Sequence, residues 1–286
     1  MLRPAPLKRD EFAKYHALGN DYLVVDGDLQ RPKLDAERVR GLCDRHTGPG
    51  SDGILALHRP RRGELVLRIW NPDGSEAEKS GNGVRIFARF LWDFGYVRGR
   101  ELAITTRGGP VDAHLTLVKA RVRSIRVDMG HAVFTSSEIP VLGPKREVVD
   151  EPLRVGSLEL RVTCVSVGNP HCVRFVSELH PEALRSLGPQ LENHAMFPNR
   201  TNVQLARVRS RSAIDVLVWE RGAGETQASG SSSCAVAAAA HRLGLVDRRV
   251  DVHMPGGKLR IEIGADYALR MTGPATPVYR GKLLDG

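Results

Sequence analysis

Aromatic residues are scarce in this chain of 286 residues, of which they make up 5%. The formal net charge of +9 at pH 7 suggests nucleic-acid binding, but few aromatic side chains are available to stack on bases. The basic residues are spread along the chain and are not interleaved with aromatics. We therefore predict no nucleic-acid partner, and expect the positive field to favour association with an anionic metabolite.

Cysteines are few, and their spacing excludes two common uses. The chain has no Cys-x-x-Cys pair, which argues against a zinc site and against a dense disulfide framework. We predict no bound metal and four buried free thiols, at Cys43, Cys164, Cys172 and Cys234.

Long apolar runs are also missing. No stretch approaches the roughly 20 apolar residues of a membrane-spanning helix. Residues 1–11 include basic side chains but no apolar segment of the kind found in a secretory signal. With 41% hydrophobic and 26% charged residues, the composition is typical of a globular protein. We expect a cytoplasmic protein without a membrane partner.

Two segments of the chain are similar to each other. Each has a Ser-Gly pair before an apolar helix, and the two serines, Ser80 and Ser229, lie 149 residues apart. The same offset relates Leu18-Gly19-Asn20 to Val167-Gly168-Asn169, so two separate blocks agree on one duplication. The duplication predicts an N-terminal half over residues 1–130, a C-terminal half over 131–273, and a tail over 274–286 that returns to the first half.

The hydrophobic pattern predicts an α+β fold that is mostly strand. Short apolar or alternating runs indicate strands at 54–57, 65–70, 121–128, 158–167 and 214–219. Helical spacing indicates helices at 35–45, 84–94 and 234–243. The last of these is almost entirely small and apolar, so we expect it to be buried on all sides. Two β-rich halves follow, each around a central helix.

The paired helix starts suggest anion binding. The first N–H groups of a helix have no partners inside it, and the helix dipole adds partial positive charge there. Either serine alone is adequately explained as a helix N-cap. Because the Ser-Gly helix start occurs twice, 149 residues apart, we expect the two helix starts to hold one carboxylate together.

Five motifs, in order, resemble the motif set of the diaminopimelate epimerase family. They are Ala17–Asp21, Asn71–Arg85, Gly168–His171, Asn199–Asn202 and Glu220–Ala235. The resemblance covers about residues 14–257. It implies two pseudo-symmetric β-barrel-like halves, each wrapped around a central helix, with the site in the cleft between them. It also implies an isomerase that needs neither pyridoxal phosphate nor metal, and so no cofactor.

The resemblance also implies site residues. Ser80 and Ser229 stand where the family has its paired acid and base, and His171 and Glu220 take supporting roles in catalysis. The implied substrate contacts are Asn20, Asn71, Gly81, Asn82, Asn169, Asn202, Glu220, Arg221, Gly230 and Ser231. An amino group paired with Glu220 and a carboxylate paired with Arg221 fit a substrate that has two amino-acid ends.

One departure bears on the chemistry. The family's acid and base are cysteines, and both positions are serine here. A thiol has a reference pKa of about 8.5, whereas an alcohol lies several units higher, so an unaided serine pair is expected to transfer protons slowly. A neutral Lys79, or His171 with a pKa near neutrality, would be an alternative base. Further departures at Lys79, Ile86 and Ser231–Ser233 favour a diverged branch over an exchange of the two cysteines alone.

The sequence therefore predicts a two-base epimerase or racemase of lysine and diaminopimelate biosynthesis. It acts at the α-carbon of a free amino acid, a small-molecule partner, and the enzyme is a possible homodimer. Two alternatives stay open: a different isomerase or dehydratase on the same scaffold, and a catalytically inactive amino-acid-binding protein.

Overall fold

The computed structural model describes residues 5–30, 32–61 and 63–284. They form two compact units. The first runs as far as Asp128 and resumes at Gly273, and the second is continuous from Met129 to Thr272. The domain boundaries expected from the duplication lie within a few residues of these positions.

The first unit contains a strand series around one helix. Its elements are β1 (Glu11–Ala17), β2 (Asn20–Asp26), α1 (Ala36–Cys43), β3 (Ile54–His58), β4 (Val66–Trp70), β5 (Glu76–Ala77), α2 (Gly81–Asp93), β6 (Glu101–Thr106), β7 (Gly109–Val118), β8 (Arg121–His131, which ends in the second unit) and β18 (Thr276–Lys282). Strand β1 pairs antiparallel with β2 and with β18, and β2 pairs parallel with β3. Strand β4 pairs antiparallel with β3 and β5 and parallel with β6, and β6, β7 and β8 form an antiparallel meander.

The second unit repeats this series. Its elements are β9 (Glu151–Val155), β10 (Leu158–Ser166), β11 (Pro170–Phe175), α3 (Pro181–Glu192), β12 (Asn202–Ser210), β13 (Ala213–Glu220), β14 (Gly224–Thr226), α4 (Gly230–Arg242), β15 (Arg249–Met254), β16 (Gly257–Ile263) and β17 (Ala268–Gly273). The pairings from β10 to β16 follow those from β1 to β7 in order and in sense. Strand β9 lies beside β10 as β18 lies beside β1.

The duplication extends to the strand register. Leu23 pairs with Ile54 in the first unit, and Cys172 pairs with Val203 in the second, each residue 149 positions after its counterpart. Trp70 pairs with Glu76, and Trp219 pairs with Glu225, at the same offset. A one-residue slip would turn every side chain to the opposite face of the sheet, so this agreement means that corresponding side chains face the same way in both units. The predicted fold of two similar β-rich halves is confirmed.

Each unit packs its strands around one buried helix, as predicted. In α2 the residues from Asn82 to Ala88 are all buried, and Phe87 and Phe90 are fully so. In α4 every residue from Ser232 to Ala240 is buried. Alanine suits this position because strands can approach its short side chain closely on all sides of the helix.

Helix α3 is not predicted by the pattern. It contains Gly188 and Pro189, two residues that normally interrupt helices. Gly188 is required by packing, because a Cβ atom there would lie 2.6 Å from Cδ2 of Trp219. Within the described ranges, no helix has the length and apolar character to cross a membrane.

Candidate functional site

The first predicted helix start is an N-capped turn in the first unit. Ser80 is extended, with φ −142° and ψ 117°, and its Oγ accepts a hydrogen bond from the Gly83 N–H at 3.0 Å. The Ser80 carbonyl accepts the first intrahelical bond, from Val84 N–H at 2.8 Å. The amides of Gly81 and Asn82 precede that bond and cannot reach an intrahelical acceptor. The hydroxyl oxygen and two amides therefore lie at one helix end.

A chain of side chains supports this turn. Asn20 donates through Nδ2 to Asp52 Oδ2 at 3.0 Å and accepts through Oδ1 from Asn82 Nδ2 at 3.1 Å. Asn82 Oδ1 in turn accepts from Arg85 Nη2 at 2.8 Å, and Arg85 Nη1 donates to the Gly81 carbonyl at 3.2 Å. Arg85 is fully buried. The predicted residues Asn20, Gly81 and Asn82 thus belong to one network beside Ser80.

Asn71 lies at the end of β4, in the turn that leads to this helix. Its Nδ2 donates to Ser75 Oγ at 3.0 Å, and its backbone N–H donates to the Ser75 carbonyl at 2.8 Å. The following strand places Glu76 against Arg68 in a two-bond ion pair, with distances of 2.8 and 2.9 Å. Hydrogen bonds from Arg68 hold the pKa of the Glu76 carboxyl below its usual value.

The second predicted helix start has the same geometry in the second unit. Ser229 is extended, with φ −137° and ψ 126°, and its Oγ accepts from the Ser232 N–H at 3.4 Å. Ser229 is 4% exposed, whereas Ser80 is half-buried. Ser231 Oγ lies 3.5 Å from Ser229 Oγ, and Ser233 Oγ donates to the Ser229 carbonyl at 2.8 Å. Gly230 and Ser231 supply the two amides that precede the first intrahelical bond.

The asparagine that follows each β-turn is presented in the same way. Gly19 has φ 94° and Gly168 has φ 95°, a left-handed conformation that favours glycine. Asn20 and Asn169 follow these glycines directly. Asn169 Oδ1 lies 2.9 Å from His171 Nε2, so the second asparagine is held by an imidazole and the first by a carboxylate and an amide.

His171 is a buried neutral residue. Both ring nitrogens are engaged, Nε2 with Asn169 and Nδ1 with Gln204 Nε2 at 3.0 Å. Burial, together with the nearby positive charge of Arg221, lowers the pKa of His171 to about 3, although the hydrogen bond from Gln204 acts in the opposite direction. The expectation that His171 is a base with a pKa near neutrality is therefore wrong. Its predicted supporting role remains a prediction.

Gln204 is the residue that sequence reasoning misses. It is fully buried on β12, and its Nε2 donates both to His171 Nδ1 and to Ser232 Oγ, each at 3.0 Å. It lies in none of the five motifs, and its strand, β12, is not among those that the hydrophobic pattern predicts. Only the pairing of β11 with β12 brings it beside His171.

Glu220 is the last residue of β13, and Arg221 begins the loop that follows it. The Arg221 backbone N–H donates to Asn202 Oδ1 at 2.9 Å, and its Nη1 donates to the Asn199 carbonyl at 2.8 Å. Asn202 Nδ2 donates to the Pro170 carbonyl at 2.8 Å. Both polar atoms of the buried Asn202 side chain thus form hydrogen bonds with backbone groups, and Asn202 therefore supports this loop.

A buried carboxylate that the motifs do not include also supports this loop. Glu192, at the end of α3, is 6% exposed. Its Oε1 accepts from the Gly222 N–H at 2.9 Å and from Arg200 Nη1 at 3.0 Å, and its Oε2 accepts from Trp219 Nε1 at 2.8 Å. Three segments therefore converge on one carboxylate next to Arg221.

The described residues thus place the predicted site in two parts, one in each unit. Around Ser80 lie Asn20, Gly81 and Asn82, with Asn71 in the preceding turn. Around Ser229 lie Gly230, Ser231 and the Asn169–His171 pair, and the Asn202–Arg221 bond lies on the loop after β13. Within the described part of the chain, no group of three His, Cys, Asp or Glu side chains is arranged to hold a metal ion. All four cysteines are free and buried, as the spacing predicts.

Comparison with known proteins relates most of the chain to one family. A family model described as diaminopimelate epimerase matches residues 12–135 and 163–278. Diaminopimelate epimerase 2 of Nostoc sp. is 46% identical over 96% of this chain and 95% of its own length. Diaminopimelate epimerase of Moorella thermoacetica is 42% identical over 94% of this chain and 98% of its own.

A solved structure extends the likeness to the fold. Hydroxyproline epimerase of Agrobacterium vitis, with bound trans-4-hydroxy-L-proline, superposes with a TM-score of 0.69. The alignment covers 96% of this chain and 92% of the other at 14% sequence identity. The likeness at this low identity is one of fold.

Proposed function

The chain belongs to the diaminopimelate epimerase family, and on this premise we propose that it is a cofactor-independent amino-acid epimerase whose substrate is diaminopimelate or a close analogue. The observation that carries the proposal is the repeated helix start. Ser80 and Ser229 have nearly the same backbone angles. Each hydroxyl oxygen accepts a hydrogen bond from the backbone N–H three residues later. Two equivalent oxygens suit a reaction in which the α-proton leaves one face of a carbon and returns on the other.

The amides at the helix starts are proposed to hold the α-carboxylate. Gly81 and Asn82 supply two donors, and Gly230 and Ser231 supply two more. Helix N-termini favour negative charge through these unpaired N–H groups and the helix dipole. The same donors would stabilise the negative charge that develops as the α-proton leaves.

The distal end of the substrate is proposed to lie on the loop after β13. Arg221 is exposed. Hydrogen bonds to Asn202 and Glu192 hold the backbone N–H groups of Arg221 and Gly222, so the backbone that carries the guanidinium is fixed. A guanidinium binds a carboxylate with paired, charge-assisted hydrogen bonds. Glu220 would accept the distal ammonium group, and Asn71 and Asn169 would add amide contacts.

Proton transfer is the step that the serines limit. In the forward direction one oxygen, as the alkoxide, takes the α-proton, and the other hydroxyl gives its proton to the opposite face. Each pKa unit between an alcohol and a thiol costs about 1.36 kcal/mol in forming the basic species. The N-cap amides lower that cost without removing it, so we expect slow turnover.

The decisive experiment is α-proton exchange in deuterated water. LL- and meso-diaminopimelate are incubated with the wild type, with Ser80→Cys, with Ser229→Cys and with the double variant, and NMR follows loss of the α-proton signal. We expect slow exchange in the wild type and at least a tenfold increase in the double variant, because each pKa unit regained is worth about tenfold. Each single variant should gain far less, because both faces must react.

Other outcomes point elsewhere. Fast exchange in the wild type would contradict the argument from hydroxyl basicity and indicate activation by Lys79. The replacement of both cysteines also favours a second candidate, an inactive amino-acid-binding protein, which would bind ligand without exchange in any variant. A different isomerase or dehydratase would consume another substrate, and product analysis with a panel of free amino acids identifies that case.

The setting of the enzyme is part of the proposal. We propose that it works in the cytoplasm on a free small molecule, without nucleic acid or membrane, and that it forms a homodimer. Sedimentation velocity over a range of concentrations tests the homodimer.

A further inference from the structure

Gln204 occupies a position that differs between the two units. In the first unit the equivalent strand position, 149 residues earlier, is Leu55, and the positions equivalent to His171 and Ser232 are Tyr22 and Gly83. A polar path, Asn169–His171–Gln204–Ser232, therefore exists only in the second of the two duplicated sets. The fold does not require it, since the first unit builds the same strands and helix with leucine and glycine.

The buried amide of Gln204 is incompletely paired. Its Nε2 makes two hydrogen bonds, but its Oε1 is buried and has no hydrogen-bond partner among the described residues. A buried acceptor without a partner is costly, and leucine at this position would avoid that cost. The amide is therefore better explained by its Nε2 bonds than by general packing.

Those bonds set the state of two other groups. An amide nitrogen only donates, so His171 Nδ1 must accept, and the ring proton must lie on Nε2. Nε2 then donates to Asn169 Oδ1 at 2.9 Å, which fixes the orientation of that side-chain amide. Asn169 is partly exposed, and its Nδ2 donors take no part in the bond to His171.

The second Nε2 bond reaches the helix start. Ser232 Oγ accepts from Gln204, and the Ser232 backbone N–H donates to Ser229 Oγ. One buried amide thus connects an asparagine implied in substrate binding with the serine at the acid–base position, although it touches neither directly.

We propose that Gln204 is a positioning residue: through His171 it orients the Asn169 amide toward the substrate, and through Ser232 it holds the backbone N–H that donates to Ser229 Oγ. The effect on the substrate rests on the proposed function, whereas the state of His171 does not. Gln204 and His171 act through other groups and transfer no proton.

The first experiment needs no turnover. Protein labelled with 15N-histidine is observed by NMR, and the His171 signals are assigned by their absence in His171→Gln. We expect neutral imidazole with the proton on Nε2. In Gln204→Glu, observed at a pH high enough to ionise the buried carboxyl group, a carboxylate that only accepts replaces the donor, so the proton must appear on Nδ1. A wild-type proton on Nδ1, or signals unchanged in Gln204→Glu, would overturn the proposal.

The second experiment reads the effect on the ligand. Affinity for diaminopimelate is measured by calorimetry, and exchange rates are measured in the double cysteine background. Gln204→Leu, which copies the residue at the equivalent position, should weaken binding roughly five- to tenfold, about the effect of losing one hydrogen bond. Ser232→Ala removes only the second Nε2 bond and should leave both the His171 tautomer and the affinity near the wild type while lowering the exchange rate.

Leu205→Met is the matched control. Leu205 is the next residue of β12, is buried, and points to the opposite face of the strand. The Leu205→Met variant should leave the His171 tautomer, the affinity for diaminopimelate and the exchange rate unchanged. Wild-type affinity in Gln204→Leu, with the ligand bound by the parent, would refute the positioning role. Absence of ligand binding in the parent itself, with the expected tautomer present, would instead refute the proposed function.

Discussion

Trp219 Nε1 donates a hydrogen bond to Glu192 Oε2 at 2.8 Å, and this bond joins the end of β13 to the end of α3. The other oxygen of the same carboxylate holds the Gly222 N–H, one residue beyond Arg221. The loop that carries the proposed distal contacts is therefore anchored from a helix outside the motifs.

Replacing this carboxylate should weaken both the fold and ligand binding. In Glu192→Gln one of the two oxygens becomes a donor and faces either the indole N–H or the Gly222 N–H. A buried donor left unpaired costs about 1–3 kcal/mol, so we expect a loss of that size in the free energy of unfolding, measured by urea denaturation. Glu182→Gln is the control, because Glu182 lies on the same helix with a side chain 80% exposed, and it should stay within about 0.5 kcal/mol of the wild type. Equal effects of the two changes would contradict the anchoring role.

The guanidinium of Arg221 should contribute directly to affinity. Arg221→Ala is expected to lose about 1.5–3 kcal/mol of binding free energy for diaminopimelate in calorimetry, the usual contribution of a charge-assisted hydrogen bond. Arg248→Ala, an exposed arginine in the turn before β15, tests for a general effect of net charge and should bind as the wild type does. Unaltered affinity in Arg221→Ala would mean that the distal end of the ligand lies elsewhere.

Both proposed acid–base residues also cap helices, so their replacement has a cost in stability that must be separated from catalysis. Ser80→Ala and Ser229→Ala should each lower the free energy of unfolding by about 1 kcal/mol, since each hydroxyl satisfies a helix amide. Ser80→Thr keeps the accepting oxygen and should retain most of that stability. Chemical denaturation followed by circular dichroism measures the difference, and alanine variants as stable as the threonine variant would argue against capping.

The neutral state of His171 predicts a pH dependence of stability. Its pKa is about 3 in the folded protein, compared with 6.5 for an ordinary histidine. Between these two pH values the unfolded chain binds a proton on His171 that the folded chain does not bind. The stability present above about pH 6.5 is therefore lost progressively as the pH falls toward 3. Between pH 6.5 and 4.5 the wild type should lose up to about 1.4 kcal/mol per pH unit more than His171→Gln, whose other titrating groups are the same. Parallel pH profiles would show that His171 is protonated in the folded protein.

The sequence predicts the fold because the duplication is written in local patterns. Helices α2 and α4 follow Ser-Gly starts and apolar runs, and strands β3, β4 and β10 are predicted to within one residue at most of their ends. The isomerase class and the family follow from motifs that lie in order along the chain, and both are confirmed by the family match.

What the sequence does not predict depends on long-range placement. Gly188 and Pro189 prevent α3 from being predicted, although both lie inside the helix and the Trp219 ring packs where a side chain at Gly188 would otherwise lie. Glu192 and Gln204 carry no local signal, because a polar residue on a helix or strand gains its role only when a distant segment pairs beside it. The basicity of His171 could not be read from its motif, since it depends on complete burial in the folded unit.

The antiparallel pairing of β18 with β1 has a consequence for the order in which the protein is completed on the ribosome. The second unit is a continuous stretch from Met129 to Thr272, so a nascent chain that has passed this point holds every strand the unit needs. The first unit is synthesised earlier, yet its edge beside β1 stays open until residues 276–282 have emerged. Although chains usually fold their domains in the order of synthesis, the half that is made first here is the last to be finished.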